Sequence, residues 1–316
     1  MYLQRIKNPL VVIVGPTAVG KTEFSIQIAK ALSAEIISAD SRYFYREMNI
    51  GTAKPLPEEL QGVPHHLIDV ARPDEPWNLA LFQQQATKII TDIHQKKKLP
   101  IIVGGTGQYI QAVLGAWSMP TQAVDNKLRA ILEKMVIKDR GVELYAFLRK
   151  VDPVAANLID WRNVRRTIRA VEVILKTGVR FSEQRKISTS PYSRKMIGLY
   201  RDRTELYRRI DLRIEQMLSQ GLVEEVQHLL VSGYTADLPA LSAIGYREIC
   251  SYLQGKISLE EAIVLMKRQT RTFVRRQANW FKLNDPNIRW YPADQVDLKD
   301  IIDYINSEQD WVPPDI

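Results

Sequence analysis

The sequence contains a single cysteine, Cys250, among its 316 residues. One cysteine excludes an internal disulfide framework and any zinc site built from four cysteines. No apolar run approaches the roughly 20 residues that a helix needs to cross a bilayer. The segment from Met1 to Pro9 also lacks the apolar centre of a secretory signal peptide. We therefore expect a cytoplasmic protein with no membrane partner.

Acidic residues are in the minority, with 36 Asp and Glu against 44 Lys and Arg, which gives a formal net charge of +8. A basic balance favours a polyanionic partner, most often a nucleic acid. Many basic proteins bind no nucleic acid, so the net charge alone leaves the partner open.

The most informative motif is GPTAVGKT at residues 15–22, which has the G-x-x-x-x-G-K-T spacing of a phosphate-binding loop. An apolar run at 10–14 precedes it and a helical pattern from Glu23 follows it, as in a strand, turn and helix. Glycines let successive N–H groups converge on phosphate oxygens, and the helix start adds its positive dipole end. Lys21 can reach the outer phosphate, while the Thr22 hydroxyl can hold a Mg²⁺ ion or a phosphate oxygen.

Two further apolar segments predict parallel strands that end near this loop. The segment 35–38 leads into Asp40 and Ser41, and ligands bind beyond the carboxyl ends of parallel strands. Asp40 should therefore share an edge with the phosphate loop, although it could instead cap the following turn. The segment 99–103 ends in the glycine turn 104–107, which suggests close backbone approach to a ligand. This strand carries no acid to hold a nucleotide's metal, which argues against nucleotide hydrolysis, although Asp40 could serve the metal instead.

Other segments complete the core. A short strand is predicted at 63–69, where His65 and His66 point to opposite faces and so indicate structural roles and no shared metal. A helix is predicted at about 78–98, and a further strand at 196–200. A capping box at 258–261 opens a long helix whose predicted buried stripe includes Phe273.

Between about residues 121 and 190, β-branched runs give way to helical periodicity. The predicted fold class is α/β: a P-loop NTPase-like parallel sheet flanked by helices, with an inserted small all-helical domain. Residues 1–121 and 193–316 would form the core with the C-terminal helices. Residues 122–192 would form the insertion.

Arginine clusters suggest where a polyanion would bind. Arg162, Arg165, Arg166 and Arg169 lie close together in the insertion, where either phosphate contacts or a solvated helix face would explain them. Arg209 and Arg213 lie four residues apart, so both point from one helix face and could clamp phosphates.

A basic ridge is also predicted along the long helix that follows the capping box. Lys267, Arg271, Arg275 and Lys282 recur there at four-residue or seven-residue steps. Such a ridge would suit a nucleic-acid backbone.

With these motifs in place, the chain resembles the tRNA dimethylallyltransferases, also called tRNA isopentenyltransferases. The resemblance runs from about residue 10 to residue 290. Its marks are GPTAVGKT, ISADSRYFYREMNIGTAKP at 37–55, PHHLID at 64–69, PIIVGGTGQYI at 100–110, NVRRTIRAVEV at 163–173, LYRRIDLRIEQML at 206–218, AIGYRE at 243–248 and RRQANWFK at 275–282. The combination of Asp40-Ser41 with GTAKP is more specific than the loop alone. The single cysteine excludes the zinc finger of eukaryotic relatives and indicates the shorter bacterial type.

The resemblance implies the transfer of a dimethylallyl group from dimethylallyl diphosphate to N6 of adenosine 37, beside the tRNA anticodon. Diphosphate leaves and Mg²⁺ assists, so the loop would hold a leaving group. The implied partners are the tRNA anticodon stem-loop and dimethylallyl diphosphate, and we expect a monomer.

The resemblance also implies roles for individual positions. Asp40 would accept the proton of the attacking amine, Thr22 would bind the diphosphate or its Mg²⁺, and Arg213 would stabilise the departing diphosphate. The implied diphosphate-binding residues are Gly15, Thr17, Ala18, Val19, Gly20, Lys21, Thr22 and Arg213. The implied tRNA-contacting residues are Asp40, Ser41, Arg42, Tyr43, Thr106, Arg129, Arg165, Arg166, Thr167, Ile168, Arg169, Ser242, Ala243, Ile244, Gly245, Tyr246 and Arg247.

Two other functions share part of this pattern. A phosphate-loop kinase of a nucleoside or small molecule would have the same strand, loop and helix, and would bind ATP. A non-catalytic RNA-binding protein with a relic loop would keep the basic helices but would not need Asp40.

Overall fold

A computed structural model describes residues 6–115, 126–184, 190–309 and 311–313. The chain divides into two compact units, one formed by Met1–Leu114 with Ser190–Ile316 and the other by Gly115–Thr189. The helical insertion predicted at 122–192 overlaps the second unit. The predicted boundary between residues 121 and 122 lies outside the described residues.

The first unit alternates strands and helices. Its elements are β1 (Pro9–Val14), α1 (Lys21–Leu32), β2 (Glu35–Ser38), β3 (His65–His66), α2 (Leu79–Gln95), β4 (Pro100–Gly104), α3 (Gly107–Leu114), β5 (Ser193–Tyr200), α9 (Arg203–Ser219), α10 (Leu222–Val231), α11 (Tyr246–Leu253), α12 (Leu259–Gln277), β6 (Ile288–Pro292) and α13 (Leu298–Asn306). No helix in the described part of the chain has the length and apolar character needed to cross a membrane.

The six strands form one sheet in the order β3-β2-β4-β1-β5-β6, and every neighbouring pair in it runs parallel. The continuous apolar sequences of β1 and β4 are typical of strands buried on both faces. The predicted α/β class with a parallel sheet flanked by helices is therefore confirmed. The loops after β1, β2 and β4 consequently emerge at one edge of the sheet.

Alternate residues of β1 belong to different hydrophobic cores, as the two-residue period of a strand requires. Val11 and Ile13 pack into a core shared with α1 and with the helices from α9 to α13. Leu10, Val12 and Val14 pack into the core formed with α2 and α3. The sheet is therefore covered by apolar side chains on both of its faces.

The second unit consists of helices around its own small core. They are α4 (Asn126–Asp139), α5 (Val142–Val151), α6 (Pro153–Leu158), α7 (Val164–Thr177) and α8 (Phe181–Gln184). Leu144, Leu148, Ile168 and Val171 are buried in that core. Asp152 caps α6 by accepting from the backbone N–H of Ala155 at 2.9 Å. The helical character expected for this region is present in all of its described elements.

Local signals set several helix starts, while tertiary packing changed two other expectations. The Ser258 hydroxyl accepts from the Glu261 N–H and the Glu261 carboxylate accepts from the Ser258 N–H, so the capping box is formed.

The predicted strand at 63–69 is reduced to the two residues of β3. Phe273 was predicted to be buried, but 38% of its surface is exposed. Its ring faces the cavity described below, which explains why it does not pack in the core.

We predict that Val12→Ala lowers the free energy of unfolding by about 2 kcal/mol or more. Val12 is completely buried, so the change removes two methyl groups at ~0.8 kcal/mol each and leaves a void. Val231→Ala is the matched control, because Val231 is 80% exposed and should shift stability by less than about 0.5 kcal/mol. Denaturant titration measures both variants. Equal losses would contradict the burial of β1.

Candidate active site

A cavity of about 720 Å³ opens at the carboxyl edge of the sheet within the first unit. The phosphate loop, the start of α1, the segment after β2, the middle of α9 and the turn before α11 all line it. Among the predicted site residues, those that line the cavity are Thr17, Ala18, Gly20, Lys21, Thr22, Asp40, Ser41, Arg42, Tyr43, Arg213, Ser242, Ala243, Ile244 and Arg247. Tertiary structure thus brings together residues as far apart in the chain as Thr17 and Arg247.

Backbone geometry explains the glycines of the phosphate loop. Gly20 has φ +110° at the start of α1, a conformation that L side chains rarely adopt. Gly15 has φ +151°, and a Cβ added there would lie 2.6 Å from the carbonyl oxygen of Leu199 on β5. Gly15 is therefore required by the close approach of β5 and does not line the cavity. Val19 is also outside the cavity, because its side chain is fully buried in the core.

Two arginines from other elements hold the phosphate loop. Arg209 on α9 donates from Nε to the Ala18 carbonyl at 2.9 Å. Arg201, which follows β5, donates from Nε to the Val19 carbonyl at 2.9 Å. Arg209, predicted to clamp phosphates, lines the cavity while its Nε bonds to the loop backbone. These two bonds hold the loop in a fixed shape, and the N-terminal end of α1 faces the cavity.

Lys21 lies in the cavity with its ammonium group on the loop itself. Its Nζ donates to the carbonyls of Gly15 at 3.0 Å and Pro16 at 2.8 Å. Burial lowers the pKa of Lys21 to about 8, with the charge of Asp40 opposing this shift and the charge of Arg213 reinforcing it. Lys21, Asp40 and Arg213 are thus close enough to influence one another electrostatically.

The Asp40 carboxylate combines the two roles that the sequence left as alternatives. Its Oδ1 accepts from the Arg42 N–H at 2.9 Å, so it does cap the turn after β2. The carboxyl group also lines the cavity. Burial raises the pKa of Asp40, against the Arg42 N–H and the charges of Lys21, Arg42 and Arg213. A half-buried carboxylate with a raised pKa is suited to accept a proton from a substrate.

The segment Ser41–Pro55 is fixed by contacts that explain its motif. Arg42 donates to the carbonyls of Pro239 at 2.8 Å and Ala240 at 3.2 Å, which ties this segment to the turn before α11. The Tyr43 hydroxyl donates to the Ala53 carbonyl at 2.8 Å. Lys54, the lysine of GTAKP, is buried and its Nζ lies 2.6 Å from Asp69 Oδ1. These bonds hold one wall of the cavity in place.

Glu225 on α10 is a second anchor of the same wall, and the sequence reading missed it. Its carboxylate accepts the backbone N–H groups of Asn49, Ile50 and Gly51 at 2.9, 2.8 and 3.1 Å. It also accepts the Tyr246 hydroxyl at 2.6 Å. A lone glutamate on an amphipathic helix carries no signal for this role, because its partners lie about 175 residues earlier in the chain.

Several predicted tRNA-contacting residues are engaged within the protein. Tyr246 is fully buried against Gly51, whose added Cβ would lie 2.5 Å from the Tyr246 ring. Gly245 begins α11 with φ +98° and lies outside the cavity. Thr106 does not line the cavity either, and its carbonyl accepts the first helical bonds of α3. The role visible for these three residues is therefore structural.

Within the second unit, the predicted arginines fall into two groups. Arg129 and Arg169 both form ion pairs with the buried Glu172, at 2.8 and 3.1 Å. Arg165 and Arg166 are exposed on α7. The side chains of Thr167 and Ile168 are buried, so they pack within the unit and present no contact surface. Arg165 and Arg166 are therefore more exposed to solvent than the ion-paired Arg129 and Arg169.

The basic ridge predicted along α12 is not a continuous row of free charges. Lys267 pairs with Glu215 at 2.9 Å and Arg271 pairs with Asp211 at 2.6 Å, which joins α12 to α9. Lys282 lies beyond the end of the helix at Gln277. Arg276, which the ridge did not include, lines the cavity.

The described residues of the cavity offer an oxygen ligand for a small divalent cation but not a complete set of metal ligands. Thr22 supplies a hydroxyl in the cavity. Among the described residues, no group of three or more His, Cys, Asp or Glu side chains is placed to hold a metal. This donor set fits Mg²⁺, which takes many of its ligands from substrate phosphates and water. His65 and His66 have separate partners, since His65 bonds to the Val63 carbonyl and His66 to Glu35.

Comparison with known proteins shows which family this chain resembles. A family model described as IPP transferase matches residues 43–284. The tRNA dimethylallyltransferase of Roseiflexus castenholzii is 51% identical over 92% of this chain and 94% of that protein. The enzyme of the same name from Dehalococcoides mccartyi is 44% identical over 95% of this chain and 92% of its own length.

Solved structures give the same result. The tRNA isopentenylpyrophosphate transferase of Bacillus halodurans has a TM-score of 0.70 and 44% identity, covering 95% of each chain. A eukaryotic dimethylallyltransferase acting on tRNA has a TM-score of 0.77 and 31% identity, covering 90% of this chain and 74% of that one. Since the family model spans residues 43–284 and these relatives align along nearly the whole chain, the chain belongs to the IPP transferase family.

Proposed function

We propose that the chain transfers a dimethylallyl group from dimethylallyl diphosphate to N6 of adenosine 37 in tRNA and releases diphosphate. The observation that carries this proposal is one cavity lined by a phosphate loop, a half-buried carboxylate and cationic side chains, in a chain whose relatives are tRNA dimethylallyltransferases. Because the acceptor is tRNA, we expect the reaction in the cytoplasm.

In the proposed reaction, the N6 amine attacks the carbon that bears the diphosphate. A new C–N bond forms, the C–O bond to the diphosphate breaks, and the amine's surplus proton passes to Asp40. The raised pKa of Asp40 makes it a stronger base than an exposed aspartate, while the nearby cations keep a fraction ionised. Removing the proton keeps the attacking nitrogen neutral as the bond forms.

The leaving group would be bound by the phosphate loop. The N–H groups at the start of α1 and the charges of Lys21 and Arg213 face the place where negative charge develops, which favours departure. Lys21 would exchange its bonds to the loop carbonyls for bonds to phosphate oxygen. Thr22 would hold a Mg²⁺ ion through its hydroxyl, and the ion would neutralise charge on the diphosphate when bound.

The tRNA would contact Ser41, Arg42 and Tyr43 after β2 and the cavity-lining residues Ser242, Ala243, Ile244 and Arg247. Arg165 and Arg166 in the second unit would bind its phosphates. The residues proposed to act on the two reacting centres line one cavity, and we infer that a monomer can carry out the reaction.

The direct test incubates the protein with dimethylallyl diphosphate, Mg²⁺ and unmodified tRNA, and measures N6-isopentenyladenosine after digestion of the tRNA. ATP in place of the prenyl donor is the control for a phosphate-loop kinase. Phosphorylation of a nucleoside without prenyl transfer would overturn the proposal. Product formation is the expected result.

We predict that Asp40→Asn lowers kcat by about 10² to 10⁴, because the amide keeps the shape of the carboxylate but cannot accept the proton. Binding of tRNA in a filter assay should change little. Asp74→Asn is the matched control, since Asp74 is exposed and should keep full turnover. Full turnover by Asp40→Asn would remove Asp40 from the role of base.

The pH dependence of kcat/KM should show the titration of Asp40. The reaction needs the ionised carboxylate, and burial raises the pKa of Asp40, so activity should fall with decreasing pH at values above the ordinary aspartate pKa of about 3.9. The residual activity of Asp40→Asn should lack this acid limb. An acid limb that persists in the variant would belong to another group.

Replacing both Arg165 and Arg166 by alanine should weaken tRNA binding and reduce the slope of log K against log salt by about 1 to 2, because about two phosphate contacts are lost. Arg149→Ala is the control for removing one positive charge elsewhere in the same unit. An unchanged slope in the double variant would mean that Arg165 and Arg166 do not contact the tRNA backbone.

A further inference from the structure

Gln277 is a buried glutamine that bonds to two separate loops at the edge of the cavity. It is the last residue of α12 and only 5% of its surface is exposed. Its Oε1 accepts from the Thr17 N–H of the phosphate loop at 2.9 Å. Its Nε2 donates to the carbonyl of Gly105, in the glycine turn after β4, at 3.2 Å. One amide group thus joins the two loops.

The two partners leave the amide a single orientation. A backbone N–H needs an acceptor and a backbone carbonyl needs a donor, so Oε1 must face Thr17 and Nε2 must face Gly105. Glutamate would keep the acceptor but lose the donor. A hydrocarbon side chain would leave the buried Gly105 carbonyl and the partly buried Thr17 N–H without this partner, which is costly.

The glycine turn is shaped to receive this side chain. A Cβ added at Gly105 would lie 2.0 Å from Gln277 Nε2, and one added at Gly107 would lie 2.3 Å from Cγ of Trp280. The turn was predicted to allow close approach to a ligand. At these two positions the atoms that approach belong to the end of α12 and the residues just beyond it.

The helix that carries Gln277 is also attached to the helix that carries the phosphate-binding arginine. Ion pairs join Lys267 and Arg271 of α12 to Glu215 and Asp211 of α9, the helix of Arg213. Gln277 therefore connects the phosphate loop to a framework that includes Arg213. Loss of its bonds would free the first residues of the loop while the rest of the framework stays attached.

We propose that Gln277 is a positioning residue for the diphosphate: it fixes the phosphate loop in the shape that receives this group. The residue acts through Thr17 and Gly105 and does not touch the diphosphate itself. This inference rests on the proposed function, because it assigns the loop to the diphosphate of the prenyl donor. The inference predicts that a change at Gln277 weakens binding of the prenyl donor and leaves binding of tRNA unchanged.

The test measures the Kd of inorganic pyrophosphate by titration calorimetry and the KM of each substrate. Gln277→Ala should weaken pyrophosphate binding and raise the KM of dimethylallyl diphosphate by about 10-fold, corresponding to the loss of a buried hydrogen-bond pair. The KM of tRNA should change by less than about 2-fold. Gln254→Ala is the matched control, because Gln254 is exposed at the end of α11 and should change neither value. Gln277→Met, which keeps most of the side-chain volume but forms neither bond, should show a similar loss and serves if the alanine variant does not fold.

A double-mutant cycle tests the geometry directly. Gly105→Ala should displace the Gln277 amide and weaken pyrophosphate binding about as much as Gln277→Ala does. With Gln277 removed, the nearest remaining atom to that Cβ is the Gly15 carbonyl oxygen at 3.3 Å, a contact that a shift of a few tenths of an ångström would relieve. The double variant should therefore bind pyrophosphate no more weakly than Gln277→Ala alone, so the two effects are not additive.

Three results would overturn the inference: unchanged pyrophosphate affinity in folded Gln277 variants, fully additive losses in the cycle, or equal weakening of pyrophosphate and tRNA. The last would show a general disturbance of the fold. Failure of the wild-type protein to transfer a prenyl group would instead contradict the proposed function, and pyrophosphate binding would still report on the loop.

Discussion

The parallel pairing of β1 with β4 and β5 is the constraint on which the rest of this structure depends. Val11, Val12 and Ile13 pair with residues of both neighbours and are completely buried. Because the strands run parallel, their carboxyl ends fall at one edge, and the loops after them must meet there. The phosphate loop, Asp40 and the glycine turn are neighbours for this reason, although more than 80 residues separate the first from the last along the chain.

This shared edge is crowded, and the crowding explains residues that would otherwise look functional. A Cβ added at Gly104 would lie 2.5 Å from the Ala39 carbonyl, and one at Gly15 would lie 2.6 Å from the Leu199 carbonyl. Both glycines let adjacent strands end close together. Lys54, Glu225 and Gln277 then bond to the backbone of the surrounding loops, so the walls of the cavity are held by side chains that do not themselves line it.

Burial also sets the electrostatic character of the cavity. Removal from water raises the pKa of Asp40 and lowers that of Lys21, so each group is less strongly biased toward its charged form than it would be at the surface. In the proposed reaction these shifts have a use, since Asp40 must take up a proton and Lys21 must leave its carbonyl partners for a phosphate. The same burial makes the two groups dependent on each other's charge.

The sequence by itself determined the local elements and their chemistry. The apolar runs of β1 and β4, the capping box at Ser258 and the loop at 15–22 are set by neighbours in the chain, because hydrophobic period, capping and glycine conformation act over a few residues. Only tertiary structure decided which charges remain available. Arg129 of α4 pairs with the buried Glu172 of α7, Lys267 and Arg271 pair with α9, and the glycine turn receives Gln277 and Trp280. The residues in these contacts are far apart in the chain, so no periodic pattern in the sequence indicates that they meet. For each charged residue, many other positions could also have supplied the partner. Packing of whole helices against their neighbours selects those partners.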